Sequence, residues 1–343
     1  MKQLLTMAYR GLGRNRRRSF LSALALGLGV ALLLMMAAFV EGEMRNALAL
    51  SIRLESGHLQ VRARGYDGAA TSLAWEDLVD DPMTIAGQIA ALEPVRTTTP
   101  RLYASGILLS GDESLGVRIL GIDPASGASA VYQELLDGAW LDPDDREGVL
   151  IGAPLAAKRN LAAGDRVTLL VNTANGDIDE QPFVVRGVYT THTPTHDQRT
   201  VLMPLSKAQA ITQVGDRASV VWVELDDMFQ AEAVAAALIS DRLEVQTWQQ
   251  MNALYLEVES YANAMMAVFY VIVLAITATV VVNAMVMAVF ERTREIGILA
   301  AIGMKERRIL ALFLTEAFLL ALGGVWIGLL LGGLGVYYLS AHG

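Results

Sequence analysis

Residues 291–308 read Glu291-Arg292-Thr293-Arg294-Glu295-Ile296-Gly297-Ile298-Leu299-Ala300-Ala301-Ile302-Gly303-Met304-Lys305-Glu306-Arg307-Arg308, and a long apolar run lies on either side of them. The run before, Ser260 to Phe290, has 31 residues and no charge; the run after, Ile309 to Ser340, includes 24 uncharged residues from Ala317 onward. A helix rises about 1.5 Å per residue, so each run is long enough to cross a hydrocarbon core. The charged segment is therefore held at one membrane face. Thr293 can cap a helix whose first turn carries Glu295, and Gly297 and Gly303 punctuate it, so the stretch reads as a short helix lying at that face.

Composition supports a membrane protein. Of 343 residues, 53% are hydrophobic, and the mean hydropathy is +0.39. The net charge of −9 is unevenly spread. Residues 1–40 carry six Lys/Arg and no acid, residues 291–308 carry five basic and three acidic residues, and residues 41–259 carry 16 basic and 32 acidic ones. Basic residues flanking spans stay on the cytoplasmic side, which places the N-terminus and 291–308 inside and the large acidic segment outside. An acidic exterior excludes nucleic acid as a partner. There is no cysteine, so the external domain has no disulfide or thiolate metal site and relies on its apolar core.

Along the chain, Leu4, Leu5, Ala8 and Leu12 share one face of a helix over 2–13, and basic residues follow to Arg18. Such a segment lies on the inner leaflet beside anionic headgroups. Ser19 to Val40 is a first span, too long for a signal-peptide core and extendable outward to 52. Within 41–259, alternation marks a strand at His58 to Ala63, a helix from Asp80 or Asp81 to Pro94, and an extended run at Pro100 to Leu109. The same order returns as strand Ser219 to Leu225, helix Phe229 to Ser240 and strand Leu243 to Trp248. Two strand–helix–strand units separated by an insertion predict a small α/β domain split in sequence. The insertion reads as β-rich: Gly116 to Gly121, Gly148 to Ile151, Asp165 to Val171, Phe183 to Tyr189 and Val201 to Met203. The second span covers 260–290 and the third 309–340. Asn283 falls inside the second, where an Asn usually bonds a neighbouring helix. Gly323, Gly324 and Gly328 in the third suit close helix packing. Glu316 lies near the cytoplasmic end of that span, where it can snorkel or act.

Glu291-Arg292-Thr293-Arg294-Glu295-Ile296-Gly297 followed by Ala301-Ile302-Gly303 resembles the signature of the MacB, LolC/LolE and FtsX superfamily of ABC-transporter permeases. Phe313-Leu314-Thr315-Glu316-Ala317 resembles the start of that family's third span. Gly121-Ile122-Asp123-Pro124, Asp137-Gly138-Ala139-Trp140, Ala163-Gly164-Asp165 and Val201-Leu202-Met203-Pro204-Leu205 resemble, in order, its periplasmic core. The resemblance implies an α-helical membrane protein with a large extracytoplasmic α+β domain, porter-like over 53–110 and 204–250 with an inserted β-rich part over 111–203. It implies a bacterial inner-membrane location, and a coupling helix at 291–308 that docks a separate ATPase through Glu291, Arg292, Thr293, Arg294, Glu295 and Gly297, supported by Lys305 and Arg307. ATP and magnesium would then belong to the ATPase partner. A second permease copy or homologue, and a lipoprotein, lipid or periplasmic adaptor, complete the implied partners. The family's fourth span is not found: splitting 309–340 into a hairpin leaves arms too short to cross.

The chain has no Gly-Lys pair, hence no P-loop for nucleotide phosphates, and no enzyme constellation of its own. His192-Thr193-Pro194-Thr195-His196-Asp197 reads as a solvated loop rather than a metal site, because Pro194 breaks helical spacing. Asp142, Asp144 and Asp145, and Asp226 with Asp227, read as solvated turns. Three functions remain open on these residues: transport of an amphiphile such as a lipoprotein or lipid, with small-molecule or peptide efflux as the variant; FtsX-like signalling to a cell-wall hydrolase; and a membrane-anchored periplasmic enzyme. Without the family resemblance, 291–308 is an ordinary loop whose charges set topology.

Overall fold

The computed structural model describes residues 6–7, 13, 16–68, 70–111, 113–238 and 242–342. Leu4, Leu5, Ala8 and Leu12, the apolar face of the amphipathic helix expected over 2–13, lie outside the described residues, as does the end of the helix expected to reach Ser240. The chain divides into two compact units: Met1–Asn46 with Leu254–Gly343, and Ala47–Ala253. Helix α1 (Arg16–Ser51) runs on into a π-helical turn, Ile52–Ser56, which Gly57 ends at φ +61°. A Cβ at Gly57 would approach Trp222 and the Val223 carbonyl to 2.8 Å, so only glycine fits there.

The larger unit opens with β1 (Leu59–Ala63), α2 (Pro82–Ala90) and the long β2 (Val95–Ser110). The insertion supplies β3 (Glu113–Ile122), β4 (Leu135–Gly138), β5 (Gly148–Gly152), α3 (Ala153–Arg159), β6 (Arg166–Asn172), β7 (Ile178–Tyr189), α4 (Pro194–Asp197), β8 (Thr200–Pro204) and α5 (Leu205–Thr212). The second half follows as β9 (Val220–Leu225), α6 (Ala231–Ala237), β10 (Leu243–Thr247) and the short α7 (Trp248–Met251). The strands β10-β1-β9-β2 lie side by side and antiparallel, so the two strand–helix–strand halves interleave as in a split β-α-β fold. Strand β2 then changes company. Val95–Arg101 pairs with β9, whereas Leu102–Ser110 pairs with β3, and Gly106–Leu109 also pairs with β6. The insertion is mixed: β3 with β8 and β5 with β7 are parallel, the remaining pairs antiparallel.

Period-two patterning builds the core of this unit. In β6, Val167, Leu169 and Val171 are buried while Arg166 and Asn172 are exposed. They meet Ile119, Val149, Ile151, Phe183 and Val201 in one apolar cluster, which Leu155 of α3 and Ala208 and Ile211 of α5 close. Each such side chain contributes about 1.5–3 kcal/mol when fully buried. Two solvated turns of the sequence reading are corrected here. His196 and Asp197 are buried in α4: Asp197 accepts from the Thr191 amide at 2.9 Å and the Thr191 hydroxyl at 2.6 Å, and His196 stacks on Tyr132. Asp145 grips Arg186 Nε at 2.7 Å rather than facing water.

In the helical unit, α8 (Ala253–Glu291), α9 (Thr293–Ala301) and α10 (Glu306–His342) complete the chain. Three helices among the described residues are long and apolar enough to cross a membrane: Ser19–Ser56, Ala253–Glu291 and Glu306–His342. Residues 309–340 form one continuous helix, not a hairpin.

Candidate functional site

Helix α9 is cut off from α8 at Arg292, whose backbone (φ −112°, ψ 19°) leaves the helical region. At its far end Gly303 adopts φ +91°, and the Gly303 and Met304 amides donate to the Ala300 and Leu299 carbonyls at 3.0 Å each. That is a glycine-terminated helix end, so Gly303 does punctuate the segment. Gly297 does not; it lies inside α9. Thr293 also departs from expectation. Its hydroxyl donates backward to the Phe290 carbonyl at 2.8 Å and the Val289 carbonyl at 3.2 Å, and caps nothing in α9.

The segment's charges sort by helical phase. Glu291, Thr293, Arg294, Gly297, Lys305 and Arg307 are exposed, whereas Arg292 and Glu295 are partly buried. Arg292 turns inward and donates from Nη1 to Oε2 of Glu316 on α10 at 3.3 Å. Glu316 is only 3% exposed, so it neither snorkels nor faces lipid. The outward face carries two residues that the charge-based reading passed over, Ile298 and Ile302, 52% and 79% exposed. With Arg294 they follow i, i+4, i+8 spacing and form one stripe. The signal for them was present in the i, i+4 spacing of Ile298 and Ile302 behind Arg294.

Behind this segment, α10 packs on α1 through small residues. A Cβ on Gly324 would lie 2.7 Å from Leu26 Cβ, and one on Gly328 would lie 2.6 Å from Val30 Cβ and 2.8 Å from the Gly27 carbonyl. Gly332 continues the row, with its Cβ position 3.1 Å from Ala31 Cα. Small residues every fourth position let helix backbones approach closely. Gly323 is not part of this contact, since a Cβ there meets nothing within 4 Å. Asn283, expected to bond a neighbouring helix, is exposed on α8 and makes no side-chain hydrogen bond to the described residues. Among the described residues no group of three His, Asp or Glu side chains is arranged to hold a metal ion.

Comparison with known proteins gives this arrangement its context. The family model for the MacB-like periplasmic core domain matches residues 19–240, and that for the FtsX-like permease C-terminal matches 267–343. The lipoprotein-releasing system transmembrane protein LolE of Haemophilus influenzae is 24% identical over 321 residues, 91% of this chain and 75% of that protein. LolC of the same system in Neisseria meningitidis serogroup B is 23% identical over 346 residues, 93% of this chain and 79% of that protein. The macrolide export ATP-binding/permease protein MacB of a Shewanella species is 25% identical over 99% of this chain, which spans 54% of that protein. The solved periplasmic region of MacB from Actinobacillus actinomycetemcomitans is 17% identical with a TM-score of 0.42, covering 61% of this chain and 97% of that one. With its core domain matched over 19–240 and its C-terminal region over 267–343, the chain belongs to the MacB/LolC/LolE/FtsX family of ABC-transporter permeases.

Proposed function

We propose that this permease receives ATPase-driven motion at α9 and delivers it to its extracytoplasmic domain, extracting or exporting an amphiphile, with a lipoprotein or lipid as the substrate class. The observation that carries the docking role is the outward stripe of Arg294, Ile298 and Ile302 on a short helix whose root, Arg292, is pinned to Glu316. An apolar stripe with a cation at one end suits a groove on a partner protein. Support for lipoprotein release comes from the relatives LolE and LolC, three quarters or more of whose length this chain covers. Small-molecule export is the second reading, favoured by the match of 99% of this chain to MacB. In this scheme the N-terminus and α9 face the cytoplasm of a bacterial inner membrane, the domain faces the periplasm, ATP and magnesium sit in the separate ATPase, and two permease copies or homologues pair.

The chain has no cysteine, so single-cysteine labelling is clean. Ile302→Cys in inverted membrane vesicles reacts with an impermeant maleimide, and in intact cells it does not. Co-purification from native membranes then recovers an ABC ATPase with the wild-type chain and loses it with Arg294→Glu/Ile298→Asp, while membrane insertion is unchanged. Labelling of Ile302→Cys from the outside, or equal ATPase recovery, refutes the docking role. A lipoprotein in the eluate supports the first substrate class, and its replacement by a small exported compound supports the second.

A further inference from the structure

A polar cavity of about 210 Å³ opens in the larger unit beside the π turn, lined by Gln60, Arg62, Tyr66, Tyr103, Arg118 and Asn252 among others. Two guanidinium groups share it. Arg118 is already engaged: Nη2 donates to the Glu55 carboxylate at 2.9 Å, and the group lies over Tyr103, 5.4 Å from the ring centroid. Arg62 has no such partner. It is 9% exposed, its Nε is sealed from solvent without an acceptor, and its side chain makes no hydrogen bond or ion pair with any described residue. Glu244, opposite it on β10, attracts it but lies outside the lining and accepts a hydrogen bond from Gln246.

Buried charges in folded proteins are normally paired. Burial lowers the Arg62 pKa, with Glu244 opposing, yet a guanidinium remains charged at any physiological pH. Burial pushes the Tyr66 phenol up to about 12, so its hydroxyl remains a donor. Glu55 is bonded to Arg118, whereas Glu244 acts on Arg62 only from outside the cavity and neither hydrogen-bonds nor ion-pairs with it, so the Arg62 guanidinium keeps its donors for a ligand. A guanidinium fork matches the oxygens of a phosphate two at a time. The cavity is smaller than the roughly 300–1,000 Å³ that encloses a drug-sized ligand, so it holds a headgroup rather than a whole amphiphile.

We propose that this cavity is a phosphate-binding site, with Arg62 as the principal ligand and Arg118 as the second, taking either inorganic phosphate or the phosphodiester of an anionic lipid headgroup. The site stands on the cavity and its charges alone, and the transport reading can fail without it.

The test uses the full chain in detergent, melted at increasing inorganic phosphate against chloride of matched ionic strength. The melting temperature is expected to rise saturably, because a ligand that binds only the folded state stabilises it. Arg62→Gln and Arg118→Gln are each expected to weaken the response about tenfold, the size of a lost hydrogen bond to a charged group. Arg118 is the more exposed of the two, so Arg118→Gln decides the matter if Arg62→Gln fails to fold. In a second arm, native mass spectrometry from nanodiscs compares phosphatidylglycerol with phosphatidylcholine. A phosphatidylglycerol adduct that is lost in the variants assigns the headgroup as the source, and a saturable phosphate response assigns the free anion. No response in either arm, or responses unchanged in the foldable variants, overturns the site.

Discussion

Arg292 and Glu316, 24 residues apart, meet across the start of α9 and the side of α10 with Nη1 and Oε2 3.3 Å apart. Their side chains are only 11% and 5% exposed. Removing one member of a buried pair strands the other charge and costs about 3–5 kcal/mol. Glu316→Ala and Arg292→Ala are each expected to lower the melting temperature of the purified chain, and the double variant by clearly less than the two losses combined. Strictly additive losses in that thermal cycle would show that the pair is not the connection between these helices.

Gly328 lies where α10 meets α1, with no room for a side chain between it and Val30. Gly328→Val is expected to destabilise by about 1–3 kcal/mol through overpacking. Gly323→Ala, one helical position away from this row but over open space, is expected to be close to neutral. Melting both variants in one detergent distinguishes the contact face from the free face; equal losses contradict it.

Asn252 is 2% exposed and ties the two ends of the larger unit together. The Ser51 hydroxyl donates to its Oδ1 at 2.6 Å, while its Nδ2 donates to Ser56 Oγ at 3.1 Å and to the Trp248 carbonyl at 2.8 Å. Asn252→Ala leaves these buried groups without their partner, a loss of about 1–3 kcal/mol. Amide exchange over Ile52–Ser56 is expected to quicken by tenfold or so in consequence. Unchanged exchange there would mean the π turn is held by something else.

Asp145 carries the acid dependence that can be read from this domain. The Arg186 side chain, aided by the Glu147 and Gly148 amides at 3.0 and 2.9 Å, holds its pKa below the ordinary 3.8. A group with a lowered folded pKa contributes stability that is full above the unfolded value and disappears as pH falls through the folded one. The gap in melting temperature between wild type and Asp145→Asn is therefore expected to be constant from pH 7 to about 4 and to close below that. A gap that widens on acidification contradicts the assignment.

Much of this architecture was legible because period-two and period-3.6 patterns have different physical causes. Val167, Leu169 and Val171 recur at every second position between polar Arg166 and Asn172, with only Leu170 breaking the polar alternation, and the paired strand–helix–strand order survives 93 inserted residues, 111–203. Helices α3 and α5 escaped notice because seven and eight residues give barely two turns of periodicity. Strand β4 escaped because an edge strand with three exposed residues of four has no buried face to mark it. In 291–308 the charges were found but not their directions. Arg292 and Arg294 look alike in sequence, and only the break at Arg292 sets the phase that turns one inward and the other out. The burial of His196 and Asp197 was hidden for a related reason: the ring that covers His196, Tyr132, comes from a distant part of the chain, and Asp197 folds back on Thr191 six residues earlier.

The sixteen residues of β2 serve two neighbourhoods, Val95–Arg101 on one side of the domain and Leu102–Ser110 on the other. Excising 111–203 would strip Leu102–Ser110 of both its neighbours at once and bare two flanks of amides and carbonyls, an invitation to aggregate. A shortened periplasmic fragment lacking the insertion is therefore a poor reagent, and this half of the molecule is to be handled as one plate.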